Sequence, residues 1–335
     1  MKALMIGAGG IGGITAALMT EKGYDVTLVC KYPDLAKSVN EKGLHIFGFC
    51  GDKRVKMPAV ATTDELSELF DVVFIATKAT VLSEVATAII PLLKPESRVV
   101  SMQNGIVEEE LAKIVGVDRT VGCVVGYGAT MHSPGVLEMT SRGEMLVGYL
   151  ESEQDEAIQK IAEMLSSAVP TKVSDNILSN LYSKLLINSG SSTLGAISGL
   201  YLGQMLNMKR GRLIYLALVR EAMDVAGAMK LKVEPYAGKV NWYKLAYGPQ
   251  WRAHIFMRLF GMKYKRLKST SLQSIERGNK TEVDIFNGYI AGQGKAHNIP
   301  TPINTKLVNM VHEIERKKRP ITLLNLEEDY FDQFL

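Results

Sequence analysis

A short apolar run, residues 2–6 (Lys-Ala-Leu-Met-Ile), leads straight into Gly7-Ala8-Gly9-Gly10-Ile11-Gly12, which fits G-x-G-x-x-G. A helical pattern follows (Ile14, Leu18, Met19), then Gly23 and a second apolar run, Val26 to Cys30. Strand, glycine turn, helix and strand in that order make one βαβ unit. Gly7 permits the tight turn, and Gly9 lets backbone N–H groups approach a pyrophosphate. Gly12 lets the helix pack close to the strand, and the helix N-terminus favours negative charge. Residues 3–19 carry no charge and follow a lysine, as in a signal peptide. Five glycines in that run would break such a helix, and no clear small-residue cleavage site precedes the charged continuation. The stretch therefore reads as a dinucleotide site, with Gly7, Ala8, Gly9, Gly10, Ile11 and Gly12 facing the cofactor.

The end of the second strand bears on which dinucleotide. An NAD site usually places Asp or Glu there, to hold the ribose 2′-hydroxyl. This chain reads Val29-Cys30-Lys31, with no acid and with a cation. Lys31 can pair with a 2′-phosphate, with Lys37 nearby and Asp34 opposing, or it is a solvated surface lysine. The pairing favours NADP(H).

A chain of 335 residues suggests two domains, and 47% apolar with 22% charged residues suits a globular protein. A net charge of +4 fits an anionic cofactor and substrate but does not predict nucleic-acid binding. Cys30, Cys50 and Cys123 are odd in number and lack metal-type spacing, so reduced thiols and a cytoplasmic location are expected. The histidines form no H-E-x-x-H or similar cluster, so no metal site is expected, and no later stretch has the length of a membrane helix.

Beyond Lys31, strands alternate with helices, which predicts a parallel, doubly wound sheet, an α/β class. Residues 64–69 are expected to form a capped helix, 80–92 and 107–114 further helices, and 72–76, 98–102 and 120–126 buried strands. Thr77-Lys78 and Gln103-Asn104-Gly105 fall at carboxyl ends of strands, where such sheets bind ligands. Topology thus points Lys78 and Asn104 at cofactor or substrate; otherwise they are polar turn residues. Residues 136–139 and 145–149 alternate like an antiparallel pair. A helix over 153–168 closes the first domain, giving a dinucleotide-binding domain over 1–168 and an all-helical one over 172–335.

In the second half, Ser174 or Asp175 can cap a helix in which Lys184, Asn188 and Ser192 share one arc of roughly 80°. Ile177 and Leu181 fall inside that arc, so the polar trio lies in the apolar stripe. Desolvation there disfavours an ammonium and would let Lys184 give a proton near neutral pH. The alternative is a lysine at the stripe's edge that reaches solvent. A single helix is expected over 204–230, and a basic, aromatic-bearing patch around Arg258, Lys263, Lys265, Arg266 and Lys268, read as a solvated face or else as one that attracts an anion. The helix opened by Ser269 is expected to carry Glu282 and Asp284, about 200° apart. The acidic tail, 326–335, is expected to be peripheral.

Together these motifs resemble the ketopantoate reductase (2-dehydropantoate 2-reductase) family, from Met1 to about Val311. The glycine loop and Lys31 match its NADPH site, and Ala76-Thr77-Lys78-Ala79 and Gln103-Asn104-Gly105 match further cofactor- and substrate-side motifs. Lys184-Leu185-x-x-Asn188 is similar to its lysine helix, and Thr281-Glu282-Val283-Asp284 with Asn287-Gly288 to its glutamate segment. The resemblance implies NADPH-dependent reduction of 2-dehydropantoate to pantoate, in the pantothenate route. It implies Lys184 as general acid and Glu282 as the group that fixes the substrate hydroxyl or the lysine, with Glu282 also near the cofactor. Asn104 and Asn188 would position substrate and nicotinamide, Thr270 would hold the carboxylate, and Ser192 would be a further substrate-side residue. Where the family usually has a second asparagine this chain has Ser192, and Ser274 stands where it has an acid. Those departures leave another small 2-keto acid, or an opine-type reaction, as alternatives, with a non-catalytic NADP(H) sensor as a third reading. The partner is a small-molecule 2-keto acid, with no nucleic acid and no membrane, and the sequence leaves a homodimer open.

Overall fold

The computed structural model describes residues 1–151 and 153–335 and divides into two compact units, Met1–Leu181 and Tyr182–Leu335. The division falls later than the 168–172 boundary expected from sequence, inside a long helix. One reason is local. Residues Thr171–Val173 form a strand that still pairs with the first unit's sheet.

The first unit runs β1 (Lys2–Ile6), α1 (Gly10–Glu21), β2 (Asp25–Val29), α2 (Pro33–Lys42), β3 (Leu44–Gly48), β4 (Lys53–Val55), β5 (Ala59–Val60) and β6 (Phe70–Ile75). It continues with α3 (Leu82–Ile89), β7 (Leu93–Ser101), α4 (Glu108–Val115), β8 (Thr120–Val125), β9 (Gly128–Ser133), β10 (Val136–Ser141), β11 (Met145–Tyr149), α5 (Glu156–Leu165) and β12 (Thr171–Val173). The main sheet has the order β12-β11-β8-β7-β6-β1-β2-β5. It is parallel except where β11 runs against β8, a reversal the parallel reading did not include. The apolar runs of β1 and β6 are buried throughout their paired length, as strands covered on both faces require. α1 and α5 share one apolar core with the sheet, through Ile14, Met19, Ile158 and Ile161.

Two local expectations are corrected here. β10 and β11 are not a hairpin: β10 pairs with β9 and β3 in a separate sheet, β4-β3-β10-β9, while β11 joins the main sheet. Alternation reports which face of a strand is buried, not which strand it joins. The helix expected over 64–69 is a single 3-10 turn, Thr63–Glu65. The Glu65 carboxylate accepts from the backbone N–H groups of Ala61 and Thr62, both at 2.9 Å, closing the turn on the preceding strand. Residue 70 already begins β6, so no length remains for a helix.

The second unit is helical: the rest of α6 (Ile177–Ser198), then α7 (Leu202–Asn207), α8 (Lys209–Ala228), α9 (Trp242–Tyr247), α10 (Gln250–Lys263), α11 (Thr270–Glu276), α12 (Tyr289–Ala296) and α13 (Pro302–Glu315). The single helix expected over 204–230 breaks at Met208, whose backbone is extended. The Arg212 guanidinium donates to the carbonyls of Leu206 and Asn207, both at 2.8 Å, which caps the end of α7. The 326–335 tail is not peripheral. Leu326 and Phe331 are fully buried, Arg210 pairs with Asp332, and Glu328 meets Lys306 and Arg319. Arg258, Lys263, Lys265 and Arg266 are exposed on and after α10, as a solvated basic face would be. Among the described residues no helix is long and apolar enough to cross a membrane.

Candidate active site

The glycine loop joins β1 to α1. Gly7 has φ +113°, a left-handed state that strains any residue with a side chain. A Cβ at Gly12 would lie 2.1 Å from the Gly7 carbonyl oxygen and 2.8 Å from the Ala76 Cβ, so α1 sits directly on the strand ends. A Cβ at Gly13 would strike Leu137 of β10 at 2.4 Å, so the adjacent side of the helix packs on the second sheet. At Gly9, by contrast, a Cβ would meet nothing within 4 Å. No side chain caps the N-terminus of α1 and no acid lies in its first turn. Open space before an uncapped, positively polarised helix end suits a diphosphate. Ala8 is buried, and Gly10 and Ile11 are half-buried in the loop. Tyr127 supports the far side of the turn, its hydroxyl donating to the Ile11 carbonyl at 2.9 Å. Nothing in its sequence context marked that role.

Lys31 follows β2, exposed, with φ +69° and its ammonium 5.7 Å from the Tyr32 ring centroid. Burial pushes the neighbouring Cys30 thiol up to about 12, so it is neither thiolate nor nucleophile near neutral pH. At the ends of β6 and β7, Lys78 is exposed and Asn104 half-buried. The link there is Gln103, almost fully buried, whose amide donates to Thr77 Oγ1 at 3.2 Å and the Lys78 carbonyl at 3.1 Å. Its Oε1 is buried with no protein partner. Gln103 belonged to the Gln-Asn-Gly motif, and its position at a strand end was the signal that could have singled it out.

On α6, Lys184 and Asn188 are half-buried and Ser192 is buried. The helix is capped by neither Ser174 nor Asp175. Asn176 Oδ1 accepts from the Ser179 N–H at 3.1 Å, and the Ser174 hydroxyl instead bonds Asn180. The helix is pinned from behind: Tyr182 donates to the Ala222 carbonyl at 2.6 Å and Trp242 Nε1 to Ser183 at 2.7 Å. The Tyr215 ring would lie 2.2 Å from a Cβ at Gly190. Asn188 Nδ2 is buried without a protein partner, one turn from Lys184. Ser192 and Thr270 are brought together, their hydroxyls 3.2 Å apart.

Glu282 does not lie on the helix opened by Ser269. That helix ends at Glu276, and Gly278 with φ +71° turns the chain away. Glu282 is half-buried at the head of a separate helix that starts with a π-helical turn, Asp284–Gly288. Its neighbour Asp284 is exposed and pairs with His312 at 3.0 Å. Among the described residues no three His, Cys, Asp or Glu side chains gather as a metal site.

A sequence profile described as ketopantoate reductase PanE/ApbA matches residues 3–152, and one described as ketopantoate reductase PanE/ApbA C terminal matches 176–315. The chain is 30% identical over 320 residues to a 2-dehydropantoate 2-reductase of Pyrococcus abyssi, spanning 93% of this chain and 97% of that one. Its structure is similar to a PanE/ApbA family ketopantoate reductase from Ralstonia eutropha JMP134, at TM-score 0.82 and 26% identity over 95% and 99% of the two chains. A D-mandelate dehydrogenase, solved with NADH and anilino(oxo)acetate, shares the fold at TM-score 0.81 and 22% identity, over 95% and 99% of the two chains.

Proposed function

Because the chain belongs to the ketopantoate reductase family, we propose that it reduces a small 2-keto acid with NADPH, namely 2-dehydropantoate to pantoate. NADPH, when bound, supplies the hydride that the ketone carbon takes up. The residues Gly7 to Gly12 would hold its diphosphate, and Lys31 its 2′-phosphate. Lys78, Asn104 and Glu282 would line the cofactor and the substrate beside it.

The chain's own chemistry centres on Lys184, which donates a proton to the ketone oxygen as charge develops there. Such a positioned acid typically contributes about 10²–10⁴-fold. The observation that carries the reading is the orphaned Asn188 amide one turn away: a buried donor left unmet by protein is costly unless a ligand meets it. A substrate carboxylate or carbonyl oxygen supplies that acceptor. Thr270, with Ser192 behind it, would hold the substrate carboxylate, and Glu282 would fix the substrate hydroxyl or the lysine.

Ser192 favours a second reading of the substrate. It stands where the family usually has asparagine, and its hydroxyl is already engaged by Thr270. A different 2-keto acid would suit that smaller side chain. Absorbance of NADPH with 2-dehydropantoate, a branched aliphatic and an aryl 2-keto acid decides which is preferred. Lys184→Ala is expected to lower kcat about 10²–10⁴-fold while NADPH still binds. Near-normal turnover by that variant would remove the acid role, and no oxidation with any keto acid would leave the cofactor-sensor reading.

A further inference from the structure

Within the second unit, four buried side chains form a single directional chain of hydrogen bonds that the proposed chemistry does not use. The Thr193 hydroxyl on α6 donates to Asn287 Oδ1. The Asn287 amide donates to Asn304 Oδ1 at 2.9 Å. The Asn304 amide donates in turn to Glu221 Oε2 at 2.7 Å and to the Leu218 carbonyl at 3.2 Å. Glu221 also accepts from the backbone N–H groups of Ile303 and Asn304, at 2.7 and 2.9 Å, closing the N-terminus of α13. Thr193, Asn287 and Asn304 are wholly buried and Glu221 nearly so. Every donor points toward one carboxylate, so each bond polarises the next.

The two ends of interest are the first two members. Thr193 lies nine residues after Lys184 on the same helix, which at about 100° per residue is 180° around it. Asn287 sits in the π-helical turn that begins two residues after Glu282. Single π turns inside helices frequently mark functional segments. The back of the Lys184 helix is thereby tied, through polar contacts of fixed direction, to the segment that carries Glu282.

We propose that Thr193, Asn287, Asn304 and Glu221 are positioning residues that set the rotation of the Lys184 helix relative to the Glu282 segment, a role that rests on Lys184 being the proton donor. About 10° of helix rotation carries a lysine amine on the order of 1 Å, given the helix radius and the length of the side chain. A misplacement of about 1 Å can cost about 10²-fold in rate.

The test uses the full-length protein. Thr193→Val keeps the shape and removes the hydroxyl, whereas Thr193→Ser keeps the hydroxyl. Thr193→Val is expected to lose about tenfold or more in kcat, with NADPH affinity held within about twofold, and Thr193→Ser to match the wild type. A second readout is independent of turnover: the carbon NMR titration of Lys184 after reductive methylation. Its midpoint is expected to move in Thr193→Val and to stay in Thr193→Ser. Should Thr193→Val not fold, Glu221→Gln, which keeps the shape and one acceptor oxygen, probes the same chain from its far end. A folded variant with wild-type kcat and an unmoved Lys184 titration would overturn the proposal. If the wild type turned over no keto acid, the functional reading would fall, while the titration would still decide the positioning role.

Discussion

Lys31 holds a left-handed backbone, φ +69°, a state that costs a non-glycine residue on the order of 1–3 kcal/mol unless its surroundings impose it. Here they do: its N–H donates to the Ala61 carbonyl at 3.0 Å, continuing the β2–β5 pairing two residues past β2 and one past β5. The residue is thereby held, exposed, past the end of β2, the strand that pairs with β1. A charge-assisted contact to a 2′-phosphate contributes about 1.5–3 kcal/mol, or roughly tenfold or more in affinity. Lys31→Ala is therefore expected to raise KM for NADPH about tenfold and to leave KM for NADH unchanged. Equal effects on both cofactors in steady-state assays would show that Lys31 is only a surface lysine. At this scale the sequence was most informative about residues in motifs. Lys184, Asn188 and Ser192 could be placed on one helix face by counting, but the contact of Ser192 with Thr270, 78 residues away, could not. Gln103 and Tyr127 escaped notice as site residues because their importance lies in distant partners, Thr77 and Ile11.

Two glycines of one loop separate folding from binding at the scale of the βαβ element. A Cβ at Gly12 has nowhere to go without moving α1 off β1, and such overpacking costs about 1–3 kcal/mol. A Cβ at Gly9 enters open space, and its backbone, φ −76°, is one alanine adopts readily. Gly12→Ala is thus expected to lower Tm by several degrees. Gly9→Ala should leave Tm in place and weaken NADPH binding, since the added methyl stands where the diphosphate must approach the amides. Thermal melts and cofactor titrations of the two variants check this, and a Gly9→Ala protein that binds NADPH normally would place the diphosphate elsewhere. Elements with their own apolar pattern were legible: β1, α1, β2, β6, α4 and β8 lie within a few residues of expectation. Those defined by tertiary contacts were not. Apolar residues recur at helical spacing on both sides of Met208, and the Arg212 caps on Leu206 and Asn207 show why α7 stops there.

Across the whole molecule, acidic groups in both units are held charged by cations. Burial disfavours the Asp71 carboxylate, but the Lys94 ammonium at 2.5 Å and the Lys2 backbone N–H at 2.6 Å outweigh it and hold the group below its ordinary value. At Asp155 burial is likewise outweighed, by the Ile158 N–H, Tyr149 and Arg98. In the second unit, Lys306 and Arg319 outweigh burial at Glu328 in the same direction. Folded values depressed below unfolded ones mean that the unfolded chain binds more protons as the solution is acidified. The stabilisation is therefore complete above the ordinary values, 3.8 for Asp and 4.5 for Glu, and is lost as pH falls through the folded ones. Melts from pH 7 down to about 3 should show Tm falling below about 4.5, and Asp71→Asn should flatten that fall. A Tm independent of pH in that range would mean these pairs contribute nothing.

The order of residues along the chain was enough to establish an α/β unit followed by helices, a dinucleotide loop and a lysine-bearing helix, because each of these repeats or punctuates within a few turns. The partner of β10, the reversal of β11, the burial of Phe331 and the chain from Thr193 to Glu221 were settled only by the folded structure. Each joins side chains or strands far apart in sequence, and a local pattern records how a segment is buried, not what it is buried against.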